Sequence, residues 1–170
     1  MPRVSGLELR DARRTAADRE WLTSVYPLYL HDLSRYDDGY YTLDERGRWR
    51  PDHLPSWLED DGDHPLILVE SGRGLGFALV NQAPSRHLGP GVDFRMSEFF
   101  VLGAHRRRGI GRRAVFALFD RFPGTWEISE LPRNEPAIRF WRAVIGEYGG
   151  GRHRETADAS AIRQVIDTRR

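Results

Sequence analysis

The stretch Ser97-Glu98-Phe99-Phe100-Val101-Leu102-Gly103-Ala104-His105-Arg106-Arg107-Arg108-Gly109-Ile110-Gly111-Arg112 decides how the rest of the chain reads. Its apolar run, Phe99 to Leu102, reads as the end of a central strand over residues 92–102. A turn dense in arginine and glycine follows, and then a helix over residues 110–122. Val115, Leu118, Phe119 and Phe122 fall at the i, i+3, i+4, i+7 spacing of one helical face. Gly109 and Gly111 let the backbone turn so that several N–H groups point to one spot. That spot lies at a helix N-terminus, where unbonded donors and the helix dipole favour an anion. With Arg106, Arg107 and Arg108 beside it, the loop suits a pyrophosphate. The plainer alternative is a solvated basic turn with a Gly-Ile-Gly cap.

On either side, strand and helix signals alternate. Residues 4–10 read as a first strand. Residues 16–33 place Leu22, Val25, Tyr26, Tyr29, Leu30 and Leu33 at helical spacing, with Pro27 expected to divide them into two helices. Residues 36–65 read as loop with a helical turn near 54–58. Strands are expected at 65–70 and 74–82, joined by the hairpin signal Ser71-Gly72-Arg73-Gly74. After the arginine loop and its helix come a strand at 126–129 and a helix at 134–145. Asn134 is that helix's N-cap, Pro136 sits in its first turn, and Ala137, Phe140, Trp141 and Val144 share a face. Gly149-Gly150-Gly151 precedes a closing hairpin, 152–157 with 161–167. With no repeat and no linker, residues 1–170 are expected to form one mixed α/β domain.

Composition removes whole classes of chemistry. All 26 basic residues are arginine, and there is neither lysine nor cysteine. A Schiff-base or pyridoxal-phosphate enzyme, a P-loop, a thiol nucleophile, a disulfide framework and a Cys-ligated zinc are therefore out. The six histidines include no His-Glu-x-x-His, so no metal is expected, and no Gly-x-Ser-x-Gly elbow supports a serine hydrolase. A formal charge of +1 gives no overall pull toward nucleic acid or membrane. No stretch resembles a signal peptide or an 18-residue apolar span, so a cytoplasmic protein is expected.

The near-zero total conceals two poles. From Asp32 to Asp63 ten acids face four arginines, and from Ala104 to Arg121 six arginines face one aspartate. Either these are solvated faces, or one pole attracts a cation and the other an anion.

Gly109-Ile110-Gly111-Arg112-Arg113-Ala114 also fits the Gly-x-Gly-x-x-Gly/Ala dinucleotide fingerprint, with Glu130 downstream. Six residues separate Leu102 from Gly109, however, whereas that fingerprint follows its strand directly. A dinucleotide-binding enzyme stays an alternative.

Arg106-x-x-Gly109-x-Gly111 after Phe-Phe-Val-Leu resembles the acyl-CoA motif Gln/Arg-x-x-Gly-x-Gly/Ala of the GNAT superfamily of N-acetyltransferases. Asn134-x-x-Ala137-x-x-Phe140-Trp141 is similar to that family's next helix. Together the two motifs cover residues 97–146. The resemblance implies an α/β (α+β) fold with a twisted mixed, mostly antiparallel sheet flanked by helices on both faces. It also implies transfer of an acetyl group from acetyl-CoA to a primary amine. Backbone groups of Phe99, Phe100, Val101 and Leu102 would pair with the pantetheine arm. Amides from Arg107, Arg108, Gly109, Ile110, Gly111 and Arg112 would cradle the pyrophosphate beside Arg106, and Asn134 would lie along the pantetheine.

An alkylamine has a pKa of about 10 and must lose a proton before it attacks. Glu98 is the first candidate for the base. Alternation puts it on the face of Met96 and Phe100, in the strand from which similar enzymes take theirs. Glu127 and Glu130 are reserves. Many relatives carry a tyrosine that protonates the departing thiolate, where this chain has Trp141, and an indole N–H is no acid. Either Tyr148 serves instead, or the thiolate leaves unprotonated, or the domain binds acyl-CoA without turnover. Tyr26, Tyr29, Tyr36, Tyr40 and Tyr41 among the acids suit a cationic amine, either a small molecule or a peptide. A homodimer is one allowed assembly.

Overall fold

The computed structural model describes residues 6–169. Nine strands and four helices alternate along them. β1 (Glu8–Asp11) leads into α1 (Ala16–Leu33), and a small hairpin of β2 (Thr42–Leu43) and β3 (Trp49–Arg50) precedes α2 (Leu54–Glu59). β4 (His64–Glu70) and β5 (Arg73–Gln82) form a hairpin, followed by β6 (Phe94–Val101) and α3 (Ile110–Arg121). β7 (Thr125–Glu130), α4 (Glu135–Gly149), β8 (His153–Ala157) and β9 (Ile162–Asp167) complete it. Seven strands make one sheet in the order β1-β4-β5-β6-β7-β9-β8, antiparallel except for β6 and β7. This excludes the doubly wound parallel sheet that a dinucleotide fingerprint would need.

Each face of the sheet carries its own core. On one, Val115, Leu118 and Phe119 of α3 and Trp141, Val144 and Ile145 of α4 bury Met96, Trp126 and Ile128. On the other, Leu22, Tyr26 and Leu30 of α1 with Leu54 and Trp57 of α2 cover Phe77, Leu79 and Phe100. β4 and β5 are buried on both sides, which explains their unbroken apolar runs. The turn between them is Ser71-Gly72, both at positive φ (50° and 78°), the backbone a tight hairpin favours.

Three expectations are corrected. Pro27 does not divide α1, which runs unbroken for 18 residues. Leu22, Tyr26 and Leu30 are buried on both sides of the exposed Pro27, so packing outweighs the lost hydrogen bond. The first strand is Glu8–Asp11, and residues 4 and 5 of the expected strand lie outside those described. The stretch from 36 to 65 holds the β2–β3 hairpin as well as α2. It forms because Asp44 accepts the N–H groups of both Arg46 and Arg48 at 2.9 Å and so folds the turn.

Asn134 caps α4 as expected, its Oδ1 accepting the Ala137 N–H at 3.3 Å. Asn134→Ala should lower stability by about 1 kcal/mol, which thermal unfolding would register.

Candidate active site

The wedge between β6 and β7 is the organising feature. These strands pair only where Phe94, Arg95 and Met96 meet Trp126, Glu127 and Ile128. Beyond that, β6 stays with β5 while β7 stays with β9, and the two part. A bulge starts the divergence. Glu98 opposes Leu79 and Met96 opposes Val80, so Ser97 is an extra residue in β6. Its hydroxyl donates to Asn81 Oδ1, and Asn81 Nδ2 in turn donates to Asp63 at 2.8 Å.

The bulge corrects one expectation about Glu98. Met96 faces the α3–α4 core, whereas Glu98 and Phe100 oppose Leu79 and Phe77 of the α1 core. Inserting one residue reverses the alternation. Glu98 therefore shares a face with Phe100 but not with Met96.

A cavity of about 340 Å³ fills the wedge, with Glu98, Phe99, Glu130 and Trp141 on its walls. Phe99, Asn134 and Trp141 also wall an adjoining cleft of about 650 Å³, which is lined as well by Arg106, Arg107 and Gly111. A third cavity of about 750 Å³ opens on the other side of Glu98, between Tyr40, His53, Trp57 and Arg95. Glu98 thus stands at the junction of a long cleft leading to the arginine loop and a separate open chamber.

The loop turns into α3 through two residues in the left-handed region. Gly109 is the cap residue of α3 at φ 73°, and Arg107 shares the left-handed region at φ 59°. The first helical bond runs from Arg113 N–H to Gly109 O at 3.0 Å. The N–H groups of Ile110, Gly111 and Arg112 therefore point past the helix start. A Cβ on Gly111 would meet the Phe140 ring at 3.0 Å, so glycine lets the helix approach α4 without displacing that ring. Open amides, a left-handed cap and free space around Gly109 fit a pyrophosphate.

The arginines divide in role. Arg106 Nη2 pairs with Asp32 of α1 at 2.6 Å, and its Nε donates to the Val101 carbonyl at 2.7 Å. Arg112 pairs with Glu147 and lies 4.4 Å from the Phe116 ring centre. Arg107 and Arg108 extend exposed at the loop. Leu102 has both backbone groups engaged, its N–H with Leu75 O at 2.9 Å and its O with His105 N–H at 2.8 Å. Phe99, Phe100 and Val101 line the cleft, and Leu102 does not.

Burial pushes the Glu98 carboxyl up to about 7; nearby Tyr29 and Arg95 offset part of the shift. Tyr26, Tyr29 and Tyr41 are raised in turn, first by burial and then by the charge of Glu98. Glu127 is held between Arg95 at 4.0 Å and Arg163 at 3.8 Å. Tyr148 bonds Asp120 at 2.8 Å and packs on Phe116 and Phe119, and it lines neither the wedge nor the cleft. Trp141 is 5% exposed, its ring 5.3 Å from Phe99.

The acidic pole is mostly structural. Asp37, Asp44, Asp52, Asp60 and Asp63 accept backbone N–H groups in turns and strand ends, while Asp32 and Asp38 pair with Arg106 and Arg133. Sequence reasoning missed the Ser97 bulge and the Asn81–Asp63 support beneath it; no local residue pattern announces either.

A strand opens beside its parallel neighbour, with the open amides of a helix start at one end and a buried carboxyl with a raised pKa at the other. The chain matches the acetyltransferase (GNAT) family over residues 19–146. It belongs to that family and catalyses acetyl-CoA-dependent acetyl transfer. Similar solved folds include an acetyltransferase from Thermus thermophilus (18% identity, 96% of this chain and 98% of that one, TM-score 0.67). A GNAT-family acetyltransferase from Streptococcus agalactiae has 10% identity, 96% coverage of both chains and a TM-score of 0.68. A Bacillus subtilis acetyltransferase solved in complex with CoA has 13% identity, covers 96% of this chain and 98% of that one, and has a TM-score of 0.59. No curated protein matches the chain in sequence. Among the described residues no helix is long and apolar enough to cross a membrane, and no group of three or more His, Asp or Glu is placed to hold a metal.

Proposed function

We propose that the protein is an N-acetyltransferase that presents a primary amine to acetyl-CoA, with Glu98 as general base. The observation that carries this is the position of Glu98, the carboxyl at the meeting point of the long cleft and the open chamber. Acetyl-CoA supplies the activated acyl carbon. Its diphosphate suits the amides of Arg107 through Arg112, with Arg106 holding the loop against α1. The backbone of Phe99, Phe100 and Val101, together with Asn134, suits the amides of the pantetheine arm.

Glu98 then works in two states. Near neutrality its raised pKa leaves the carboxylate and the acid comparably populated, so it can take a proton from the incoming ammonium or from the nitrogen as the C–N bond forms. Tyr29 orients it. The acceptor enters from the chamber lined by Tyr40, His53 and Trp57, where aromatic faces favour a cationic group. The acceptor class is a small-molecule or peptide amine.

The test is CoA release with a panel of a polyamine, an aminoglycoside, free lysine and an amino-terminal peptide. Turnover on at least one, saturable in acetyl-CoA, is expected. Tight acetyl-CoA binding with no turnover on any of the four would instead favour a regulatory acyl-CoA-binding domain.

A further inference from the structure

The open chamber beside Glu98 has a volume of about 750 Å³, within the range of small-molecule sites. Its walls carry charges of both signs, and the acids are the more engaged. Asp63 Oδ2 accepts from Asn81 Nδ2 at 2.8 Å, and its Oδ1 accepts the Gln82 N–H at 3.2 Å. Asp60 Oδ1 accepts the Gly62 N–H at 2.7 Å. Arg86 is exposed and donates through Nε to the His87 ring at 3.5 Å; it forms no ion pair among the described residues. Arg95 is fixed but open. Its Nη1 donates to the His87 carbonyl at 2.9 Å, and its side chain stays 35% exposed. Glu127 lies 4.0 Å from its buried Nε and is shared with Arg163 at 3.8 Å. Nη2 of Arg95 is neither buried nor bonded to an acceptor among the described residues.

The strand register sets this guanidinium beside Glu98. Arg95 opposes Asn81 and Glu98 opposes Leu79, and positions two apart in β5 share a face. The Ser97 bulge therefore puts Arg95 and Glu98 on one side of β6, which plain alternation over three residues would not do. Two residues of strand span roughly 7 Å. Both side chains line the chamber. A molecule whose amine sits at Glu98 thus meets a guanidinium a few bonds further on.

We propose that the acceptor is a small amino carboxylate, its amine at Glu98 and its carboxylate bound by Arg95, with the exposed Arg86 adding positive charge. The proposal rests on the acetyltransferase function set out above and narrows its acceptor. Guanidinium and carboxylate form charge-assisted hydrogen bonds, and Arg95 loses little freedom on binding because His87 already holds it. A polyamine would bring its second cation against the same arginine.

The test compares amines in pairs on the full chain: glycine, β-alanine and 4-aminobutanoate, each against its carboxamide. The carboxamide has the less basic amine, because a carboxylate favours the neighbouring ammonium, so a preference for the acid cannot come from a larger unprotonated fraction. For the best-accepted pair, kcat/KM should favour the acid roughly 10- to 100-fold. Arg95→Gln should bring that ratio to within about threefold of unity, Arg95→Lys should restore part of it, and Arg86→Gln should lower it partway. A purely structural role for Arg95, holding the loop of residues 83–93, would lower both members of a pair alike and leave the ratio standing. Saturation-transfer NMR of the same pairs on the CoA-bound protein reads acceptor binding without turnover, and its preference for the acid should also vanish in Arg95→Gln. No preference for the acid in wild type, or one that survives Arg95→Gln, would overturn the carboxylate site. Turnover on no amine, with the Arg95-dependent binding preference intact, would overturn the acetyltransferase function alone.

Discussion

Glu98→Gln should lower kcat for acetyl transfer by roughly 1,000-fold, the largest catalytic loss expected from a single substitution in the wedge. The amide preserves the shape and can still accept from Tyr29, but it cannot take a proton. A factor of that size corresponds to about 4 kcal/mol of transition-state stabilisation. Two further signatures separate loss of a base from loss of a binding contact. The KM for acetyl-CoA should hardly change, since the loop from Arg106 to Arg112 lies at the opposite end of the cleft. In wild type, kcat should fall on the acid side near pH 7, because burial raises Glu98 to about 7 and protonation removes the base. That limb should be missing from the residual activity of the variant. A loss of less than tenfold with the acid limb intact would shift the role elsewhere. Glu127, which sits between Arg95 and Arg163, would be the next candidate.

How far the sequence can be read depends on whether the deciding interaction is local. The helix over α3, the cap at Asn134 and the hairpin at Ser71-Gly72 all follow from residues within one or two turns of each other, and each is present. The arginine loop is legible for the same reason: strand, glycine turn and helix start are adjacent in the chain. Pro27 misleads because its effect depends on what α1 packs against, and that surface comes from β4, β5 and β6. The acidic pole is ambiguous because an aspartate that caps a turn and one that attracts a ligand look alike in sequence. Here seven of the ten acids are engaged with turn and strand N–H groups, the Asn81 amide or arginines. The Ser97 bulge is not legible at all, since it arises from the register of β5 against β6. That single insertion turns Glu98 toward Tyr29, so the feature that makes the carboxyl useful is the one least visible in its neighbours. Glu130 sits in a strand with the ordinary in-out rhythm, and its burial follows from that rhythm.

Gly76→Val should cost about 3 kcal/mol or more and should also abolish acetyl-CoA binding in whatever fraction still folds. Gly76 of β5 lies opposite Val101, and a Cβ there would fall inside the contact shell of the Phe100 carbonyl oxygen, 2.9 Å from Val101 Cα and 3.0 Å from Phe100 C. The obstacle is backbone, so no rotamer change relieves it, and β6 itself would have to move. β6 cannot move freely, because Phe100 packs into the α1 core while Phe99 is wedged against Phe140 and Trp141 on the other face. Displacing it would therefore disturb both cores and shift the three residues that wall the cleft. Gly146→Ala is the matching control on α4. Nothing lies within 4 Å of its added Cβ, so helix propensity alone should decide the outcome, a gain of about 0.5–1 kcal/mol. Thermal unfolding of the two variants, with acetyl-CoA titrated by calorimetry into each, reads both effects. If Gly76→Val unfolded within a degree of wild type, or bound acetyl-CoA as tightly, the close approach of β5 to β6 would not be what holds the wedge open.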